Sequence, residues 1–219
     1  MIYLNRIVIS ALIIFLGSCN ETSVDTGINH LTKDSKSVEV KLIDSLGTII
    51  LSVPLRYDTL FTWIDYSDCG KSCNRQKYRF QPKFLRITKE TGWIWQREPI
   101  DSVDRFTISH SGYFPFHNGD STKSLTLHNH LKSQLTSDLV NLRIIFDTVQ
   151  KIGDRYFSIF AMQKLDTIQS IKVIAATTIK GNLIRFQYEL LTRQNDSIAR
   201  NFISNSIELI RTIHISKGI

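Results

Sequence analysis

Four of the six histidines in this sequence fall within a stretch of 21 residues, namely His110, His117, His128 and His130. Neutral imidazole is a common ligand of zinc, and zinc lowers the pKa of a bound water enough to make it a nucleophile. One hypothesis is therefore a metal-dependent hydrolase that uses this cluster.

The spacing of these histidines favours a different interpretation. His128 and His130 would share a face on a strand, but on the helix that we predict here they point in nearly opposite directions. His130 then faces water, and His110 alternates with apolar residues toward the buried side of its strand. His128 joins the apolar stripe of the helix, which contains Leu125, Leu131 and Leu135. We therefore expect packed or solvated histidines and no metal site.

Cys69 and Cys73 are separated by three residues. In an oxidising compartment the simplest outcome is a local disulfide that closes a loop, and so small a ring adds only about 2 kcal/mol of stability. Redox-active pairs usually have two intervening residues and open a helix, whereas this segment lies between two strand candidates. The pattern predicts a structural disulfide rather than a redox or metal pair.

Basic residues accumulate between Asp68 and Glu90, a stretch without any acidic residue. Arg75, Lys77 and Arg79 alternate along a strand candidate, so their side chains would share one face. One interpretation is a contact for an anionic lipid headgroup or envelope polymer. The other, which we favour, is a solvated face without a specific ligand.

The sequence contains no motif of a familiar catalytic machinery. A Gly-x-Ser-x-Gly elbow, a His-Glu-x-x-His helix, a glycine-rich phosphate loop and an EF-hand loop are all missing from it. Ser109, His110 and Ser111 are the nearest resemblance to a nucleophile setting, but adjacent residues lack the geometry of a catalytic triad. The sequence favours a non-enzymatic protein without a cofactor.

The first 19 residues have the plan of a bacterial export signal. A short segment with one cation precedes an apolar run from Ile7 to Leu16, which is well below the roughly 20 residues that a helix needs to span a bilayer. Leu16-Gly17-Ser18-Cys19 resembles the lipobox of bacterial lipoproteins. This resemblance implies cleavage before Cys19, a diacylglyceryl thioether on its sulfur and an acylated amino terminus, which together form a membrane anchor.

Export and charge limit the partners of the mature chain. Without its first 18 residues the chain is 201 residues long and has a formal charge of about +6. Export argues against nucleic acid and favours anionic lipid headgroups, an anionic envelope polymer or an envelope protein as partners. Residues 19–37 are mostly small, polar or charged, so we expect a flexible tether on the order of 20 Å long. Asn20 lacks the charge of an inner-membrane retention signal, so the expected location is the outer membrane, facing the periplasm.

Several Asp-Ser/Thr-aliphatic triplets occur, including those that begin at Asp44, Asp58, Asp101 and Asp196. They resemble the O-glycosylation acceptors of some Bacteroidetes secreted proteins. The same dipeptides also start turns and helices, and that is the role we favour.

Apolar alternation in residues 38–219 predicts a series of strands. Val38–Ile43 and Thr48–Val53 form a predicted hairpin. Short strand candidates follow at Leu60–Tyr66, Lys77–Phe80, Phe84–Thr88, Trp93–Gln96 and Val103–His110. Longer candidates are Val140–Val149, Arg155–Leu165, Ser170–Ile179 and Leu183–Leu191. Turns predicted at Gly153-Asp154 and Gly181-Asn182 join the longer strands into an antiparallel meander.

Two helices complete the predicted α+β fold. A mid-chain helix is expected near Ser124–Leu135, and a C-terminal amphipathic helix follows Asp196-Ser197. Its apolar stripe consists of Ile198, Phe202, Ile203, Ile207 and Ile210. We expect a single domain over residues 38–219, in which both helices cover the meander of residues 140–191. The order of elements over residues 138–215 resembles the PsbP-like fold, a resemblance that implies no functional residue.

Overall fold

The computed structural model describes residues 34–43, 45–68, 73–86, 102–113, 121–137, 143–164, 168–193 and 197–216. The strands in these parts are β1 (Ser35–Lys41), β2 (Thr48–Pro54), β3 (Thr59–Asp65), β4 (Arg75–Gln81), β5 (Val103–Tyr113), β6 (Arg143–Ile152), β7 (Arg155–Lys164), β8 (Ile168–Ile179), β9 (Asn182–Arg193) and β10 (His214–Ser216). The helices are α1 (Ser121–Ser137), α2 (Ser197–Arg200) and α3 (Phe202–Arg211). None of these helices is long and apolar enough to span a membrane.

The strands form two antiparallel sheets. A small sheet has the order β1-β2-β10, and a large sheet has the order β3-β4-β5-β9-β8-β7-β6. Strands β6 to β9 are neighbours both along the chain and in the large sheet, so the predicted meander is confirmed. A mid-chain helix and a C-terminal helix accompany the sheets, which confirms the α+β class.

The main core lies between the large sheet on one side and the small sheet with α3 on the other. We call the side of the large sheet that faces this core its inner face. In β9, Ile184, Phe186, Tyr188 and Leu190 point to the inner face and are buried, whereas Arg185 points to the opposite, outer face. This alternation fixes the orientation of each central strand, because a shift by one residue would place its apolar side chains outside the core.

Helix α1 packs on the outer face over β6 and β7. Leu127 and Leu131 contact Phe160 and Ala176 in a second, smaller apolar cluster. The predicted stripe is wrong at Leu125, which is 53% exposed, whereas Leu127 is 5% exposed. The buried positions of α1 follow the helical repeat of three and four residues, and position 125 lies on the other side of the helix.

The C-terminal helix is present but interrupted at Asn201, between α2 and α3. Phe202, Leu209 and Ile210 are buried in the main core, and α3 contacts β2, β8 and β9. Ile198 of α2 is 40% exposed, so its assignment to the apolar stripe is wrong. Of the two C-terminal helices, α3 is therefore the one that covers the large sheet.

Turns with left-handed backbone connect the strands of the meander. Lys180 and Gly181 have φ values of 48° and 80°, which is typical of the two central residues of a type I′ hairpin turn. This turn lies one residue earlier than predicted. Gly153 has a φ of 59° in the turn predicted between β6 and β7.

The folded chain begins slightly before the predicted boundary. Strand β1 begins at Ser35, so residues 35–37 belong to the small sheet rather than to the predicted tether. Strands β1 and β2 pair as the predicted hairpin, and Leu31–Ile219 form one compact unit. The strand predicted from Phe84 is wrong there, because residues 83–85 turn away from β4 and Phe84 is 85% exposed.

Both sheets share one end where the described chain begins, which we call the Asp34 end. Here the backbone N–H of Leu55 donates to the carbonyl of Asp34 at 2.8 Å, joining the end of β2 to the start of β1. Arg56 follows and forms an ion pair at 2.6 Å with Asp104, near the start of β5 in the large sheet.

The opposite end of the sheets, which we call the Asp65 end, contains the end of β3 and the start of β4. The ammonium group of Lys180, in the turn between β8 and β9, donates there to the carbonyl of Ser45 at 2.8 Å. The two sheets are therefore joined at both ends.

We expect Gly153→Ala to lower the free energy of unfolding by about 1 kcal/mol, because a side chain in the left-handed region costs about that much. An added Cβ would meet no atom within 4 Å, so the loss would be conformational rather than steric. Urea denaturation of both proteins would measure it. Gly153→Asn is the control and should lose less, because asparagine tolerates this conformation. Equal losses in the two variants would contradict a conformational origin.

Candidate functional site

The three basic residues singled out in the sequence lie on the outer face of β4. Tyr78 and Phe80, between them in sequence, point to the main core and are buried. Arg75, Lys77 and Arg79 are therefore together on one side of the sheet, as their alternation predicts. With Arg185 of β9 and the aromatic residues of β3 beside them, they form what we call the cationic face, which consists of Phe61, Trp63, Arg75, Lys77, Arg79 and Arg185.

Trp63 organises the cations of β4. The guanidinium carbon of Arg79 is 4.7 Å from the centre of the indole ring, and the ammonium nitrogen of Lys77 is 5.4 Å from it. Cations over an aromatic face are attracted by its quadrupole. Trp63 also stacks on Phe61 at 5.3 Å, and its Nε1–H donates to Asp65 at 2.7 Å. The indole is thus held in a fixed orientation beside β4.

The three cations differ in accessibility. Arg79 is 1% exposed, and its Nε–H donates to the hydroxyl of Thr107 at 3.2 Å. Lys77 forms an ion pair with Asp65 at 2.6 Å. Arg75 is exposed at the start of β4. Arg79 and Lys77 therefore build the cationic face, and Arg75 is the member of the three that a ligand can reach.

Arg185 lies two strands away from β4 on the same face. Ser109 of β5 is the register partner of Lys77 on one side and of Arg185 on the other. Burial and then the positive charge of Arg75 lower the pKa of Arg185. Among the described residues, no carboxylate pairs with the guanidinium of Arg75 or Arg185. Two neighbouring positive charges are thus left without a counterion from that part of the protein.

Other cations on the outer face are neutralised. Glu189 of β9 accepts from Arg105 at 2.5 Å and lies 3.3 Å from the ammonium group of Lys172.

The sequence places Arg185 only on the polar side of β9. Its proximity to Arg75 depends on the strand order β4-β5-β9, which no local pattern reveals.

A partly buried ionic network joins the two sheets at the Asp34 end. The carboxylate of Asp104 accepts from Arg56 at 2.6 and 3.0 Å and from the hydroxyl of Tyr57 at 2.6 Å. Burial, followed by the nearby charge of Asp104, raises the pKa of Tyr57 well above its usual value. The phenol therefore remains a hydrogen-bond donor to Asp104.

A cavity of about 160 Å³ lies beside this network, between the end of β2 and the two C-terminal helices. Its polar lining includes Arg56, Asn201, Asn205 and Ser206. The charge of Arg56 is already neutralised by Asp104. The cavity therefore offers amide and hydroxyl groups, whereas the cationic face offers unpaired charge.

The structure does not bring the described candidate histidines together. His110 is buried on the inner face of the large sheet beside Tyr78, at a ring distance of 6.2 Å. His128 is buried on the side of α1 that faces the outer face of the large sheet. His130 of the same helix is exposed and contacts Gln134 at 3.1 Å. His117 lies outside the described residues. In the parts that the structure describes, no three His, Cys, Asp or Glu side chains are arranged to hold a metal ion.

The predicted covalent sites fall largely outside the described residues. Cys73 is disulfide-bonded, whereas Cys69, its predicted partner, and Cys19, the predicted lipid site, lie outside that part of the chain. Of the four triplets named above, the one at Asp58 lies wholly within the described residues. Its carboxylate accepts from the hydroxyl of Thr59 at 3.2 Å and from the backbone N–H of Lys83 at 2.7 Å, which is a turn-stabilising role.

No protein-family model and no curated protein matches the chain. The chain is similar to cyanobacterial PsbP (CyanoP) from Synechocystis sp. PCC 6803, with 11% identity, 92% of this chain and 99% of that chain covered, and a TM-score of 0.47. A protein of unknown function from Pseudomonas aeruginosa is 9% identical, with coverages of 82% and 97% and a TM-score of 0.38. The Ran-binding protein Mog1p of Saccharomyces cerevisiae is 9% identical, with coverages of 83% and 96% and a TM-score of 0.39.

We expect Tyr57→Phe to lower the free energy of unfolding by about 2 kcal/mol, because it removes a buried hydrogen bond to a carboxylate. Urea denaturation would measure the loss. Tyr66→Phe is the matched control, since Tyr66 is 81% exposed, and it should change stability little. A loss for Tyr57→Phe no larger than that of the control would show that the hydroxyl does not support Asp104.

His128 should make stability depend on pH. Its ring stacks on Phe160 at 4.5 Å, its buried Nδ1 has no hydrogen-bond partner among the described residues, and burial lowers its pKa. The charges of Asp147 and Lys132, which face it, act in opposite directions. Below the ordinary histidine pKa of about 6.5, the unfolded chain binds a proton more readily than the folded one. The free energy of unfolding should therefore fall as pH drops through this range.

His128→Phe should remove this part of the pH dependence and keep the stacking on Phe160. Urea denaturation from pH 8 to 5, compared between wild type and variant, isolates the contribution of His128 from those of the other histidines. His130→Gln, on the exposed side of the same helix, should retain the wild-type profile. A parallel pH profile for His128→Phe and wild type would exclude the effect.

Proposed function

We propose that this protein is a lipid-anchored, non-enzymatic envelope protein whose domain binds an anionic group of an envelope component on its cationic face. The observation that supports this proposal is the pair Arg75 and Arg185. These guanidinium groups are close enough for the charge of one to lower the pKa of the other, and no described carboxylate pairs with either. An anion bound between them would supply the missing counterion.

The chemistry of the two groups favours a planar or tetrahedral oxyanion. A guanidinium group donates two parallel hydrogen bonds to a carboxylate or phosphate and remains charged at any physiological pH. The hydroxyl of Ser109 lies between the register positions of Lys77 and Arg185 and adds a further polar group. Partial burial of Arg185 strengthens the attraction, since charges interact more strongly away from bulk water.

The paired residues of the cationic face have a supporting role in this proposal. Lys77, Asp65 and Trp63 are held to one another by an ion pair and a hydrogen bond, so they present little free charge to a ligand. Arg79 is buried against the same indole ring. They keep β3 and β4 rigid beside Arg75, so the binding residues are positioned before a ligand arrives.

The anchor is the second part of the proposal. It is supported by the lipobox resemblance of Leu16–Cys19 and places the domain in the envelope, with the periplasmic side of the outer membrane as the favoured location. Metabolic labelling with palmitate tests it directly. Label is expected on the wild-type chain and absent from Cys19→Ser; label that persists in the variant would remove Cys19 from this role.

We expect Arg185→Met to weaken anion binding at least ten-fold and to raise the free energy of unfolding by about 1 kcal/mol, because it removes a poorly compensated charge. Calorimetric titration at low ionic strength with inorganic pyrophosphate, and with citrate, measures affinity and separates phosphate from carboxylate preference. Urea denaturation gives the stability.

The matched control for this experiment is Arg143→Met, which removes an exposed arginine from the edge strand β6. It should change neither anion affinity nor stability appreciably. Binding by Arg185→Met equal to wild type would overturn the proposed site. A destabilised Arg185→Met, together with no anion binding by the wild type, would show that Arg185 is structural.

A further inference from the structure

The Asp34 end of the domain exposes a concentration of apolar side chains. Phe84 is 85% exposed, Leu55 is 52% exposed and Leu60 is 47% exposed. All three lie near strand ends at this side of the sheets: Leu55 follows β2, Leu60 is the second residue of β3, and Phe84 lies in the turn after β4. Ile168, at the start of β8, and Ile198, in α2, are 42% and 40% exposed at the same end.

Phe84 is held in place on this surface. The backbone N–H of Lys83 donates to Asp58 at 2.7 Å, and the backbone N–H of Leu85 donates to the carbonyl of Pro82 at 3.1 Å. The amide group of Gln81 donates to the carbonyl of Leu85 at 3.0 Å. The turn therefore presents the phenyl ring outward in a fixed position, although burial would be the usual environment of so large an apolar group.

Cations accompany these apolar groups. Lys83 and Arg86 flank the turn of Phe84 and are exposed, as is Arg200 in α2. An apolar and aromatic projection surrounded by basic residues matches the interface of an anionic bilayer, where apolar groups enter the headgroup boundary and lysine and arginine meet lipid charge.

The path of the chain supports the same partner. Residue 34, where the described fold begins, is hydrogen-bonded to Leu55 within this surface. Fourteen residues separate Cys19 from Asp34 in the sequence. A coil of that length spans about 20 Å, so a lipid at Cys19 would hold the Asp34 end close to the bilayer and raise its local concentration there.

We infer that the Asp34 end is a membrane-contacting surface, and that the domain rests on an anionic bilayer through Phe84, Leu55, Leu60 and the adjacent cations. One of its supports, the path of the chain, rests on the proposed lipid anchor at Cys19. It also gives the domain an orientation. Arg75 begins β4 at the Asp65 end, so the proposed anion site would lie away from the lipid surface.

Vesicle flotation tests this inference without the anchor. The chain from residue 19 onward with Cys19→Ser retains every described element, because the first of them begins at Ser35. It should float with vesicles of phosphatidylcholine and phosphatidylglycerol, and less with phosphatidylcholine alone. Phe84→Ala should lower the partition coefficient about ten-fold, the effect of withdrawing one large apolar group from the interface. Lys83→Gln should lower it about five-fold on the anionic vesicles only.

The matched control is Tyr66→Ala, which removes an equally exposed aromatic group beyond the end of β3 at the Asp65 end. It should float as wild type does. Thermal unfolding of each variant checks that the fold is retained. Flotation of Phe84→Ala equal to that of Tyr66→Ala would overturn the inference. A dimer in sedimentation that Phe84→Ala dissociates, without vesicle binding, would assign the surface to a second copy instead.

The outcomes are distinguishable from failure of the proposed function. If palmitate does not label Cys19 but the chain still floats in a Phe84-dependent manner, the anchor fails and the membrane surface stands. If Cys19 is labelled and Arg185→Met loses anion binding, but no chain floats, the membrane surface fails and the proposed function stands.

Discussion

The alternation of side chains along the central strands of the large sheet divides the molecule into two faces of opposite chemistry. Apolar residues of β5, β9 and β8 face the small sheet and α3, and their burial fixes strand register across the sheet. Packing on the inner side fixes the register. The register in turn determines which polar residues are neighbours on the outer side. The proximity of Arg185 to the positive charge of Arg75 follows from this constraint.

Most of the charged side chains that are described on the outer face form ion pairs with one another. Glu189 balances Arg105 and Lys172, Asp65 balances Lys77, and Asp147 balances Lys132 of α1. Arg79 is buried against two aromatic rings instead. Arg75 and Arg185 have no paired carboxylate among the described residues, and this arrangement lowers stability, since Arg185 is partly removed from water beside a like charge. A sequence retains such an arrangement at a cost in stability, which is the pattern expected of a binding site.

Sequence periodicity predicted the elements whose burial is one-sided. The meander follows from alternation such as Ile184 to Leu190, and glycine turns mark two of its corners. Residues near the edges of elements were predicted less well. Leu125 and Ile198 fit a helical spacing but point to solvent, because a spacing alone does not say which side of a helix meets the sheet. Phe84 has strand propensity, yet Asp58 holds its segment in a turn through a contact 25 residues away in sequence.

The candidate site, too, could be predicted from the sequence only in part. Arg75, Lys77 and Arg79 could be placed on one strand face from their spacing, but their exposure could not, since it depends on Trp63 of β3 and Thr107 of β5. Those contacts are set by strand order, as is the position of Arg185. The same order determines which feature lies at which end of the molecule. Asp34, the first described residue, lies at one end of the strands, and Arg75 lies at the other. For the tethered binding domain that we propose, this separation would have a physical use, because a site at the far end would stay in solution when the near end meets the membrane.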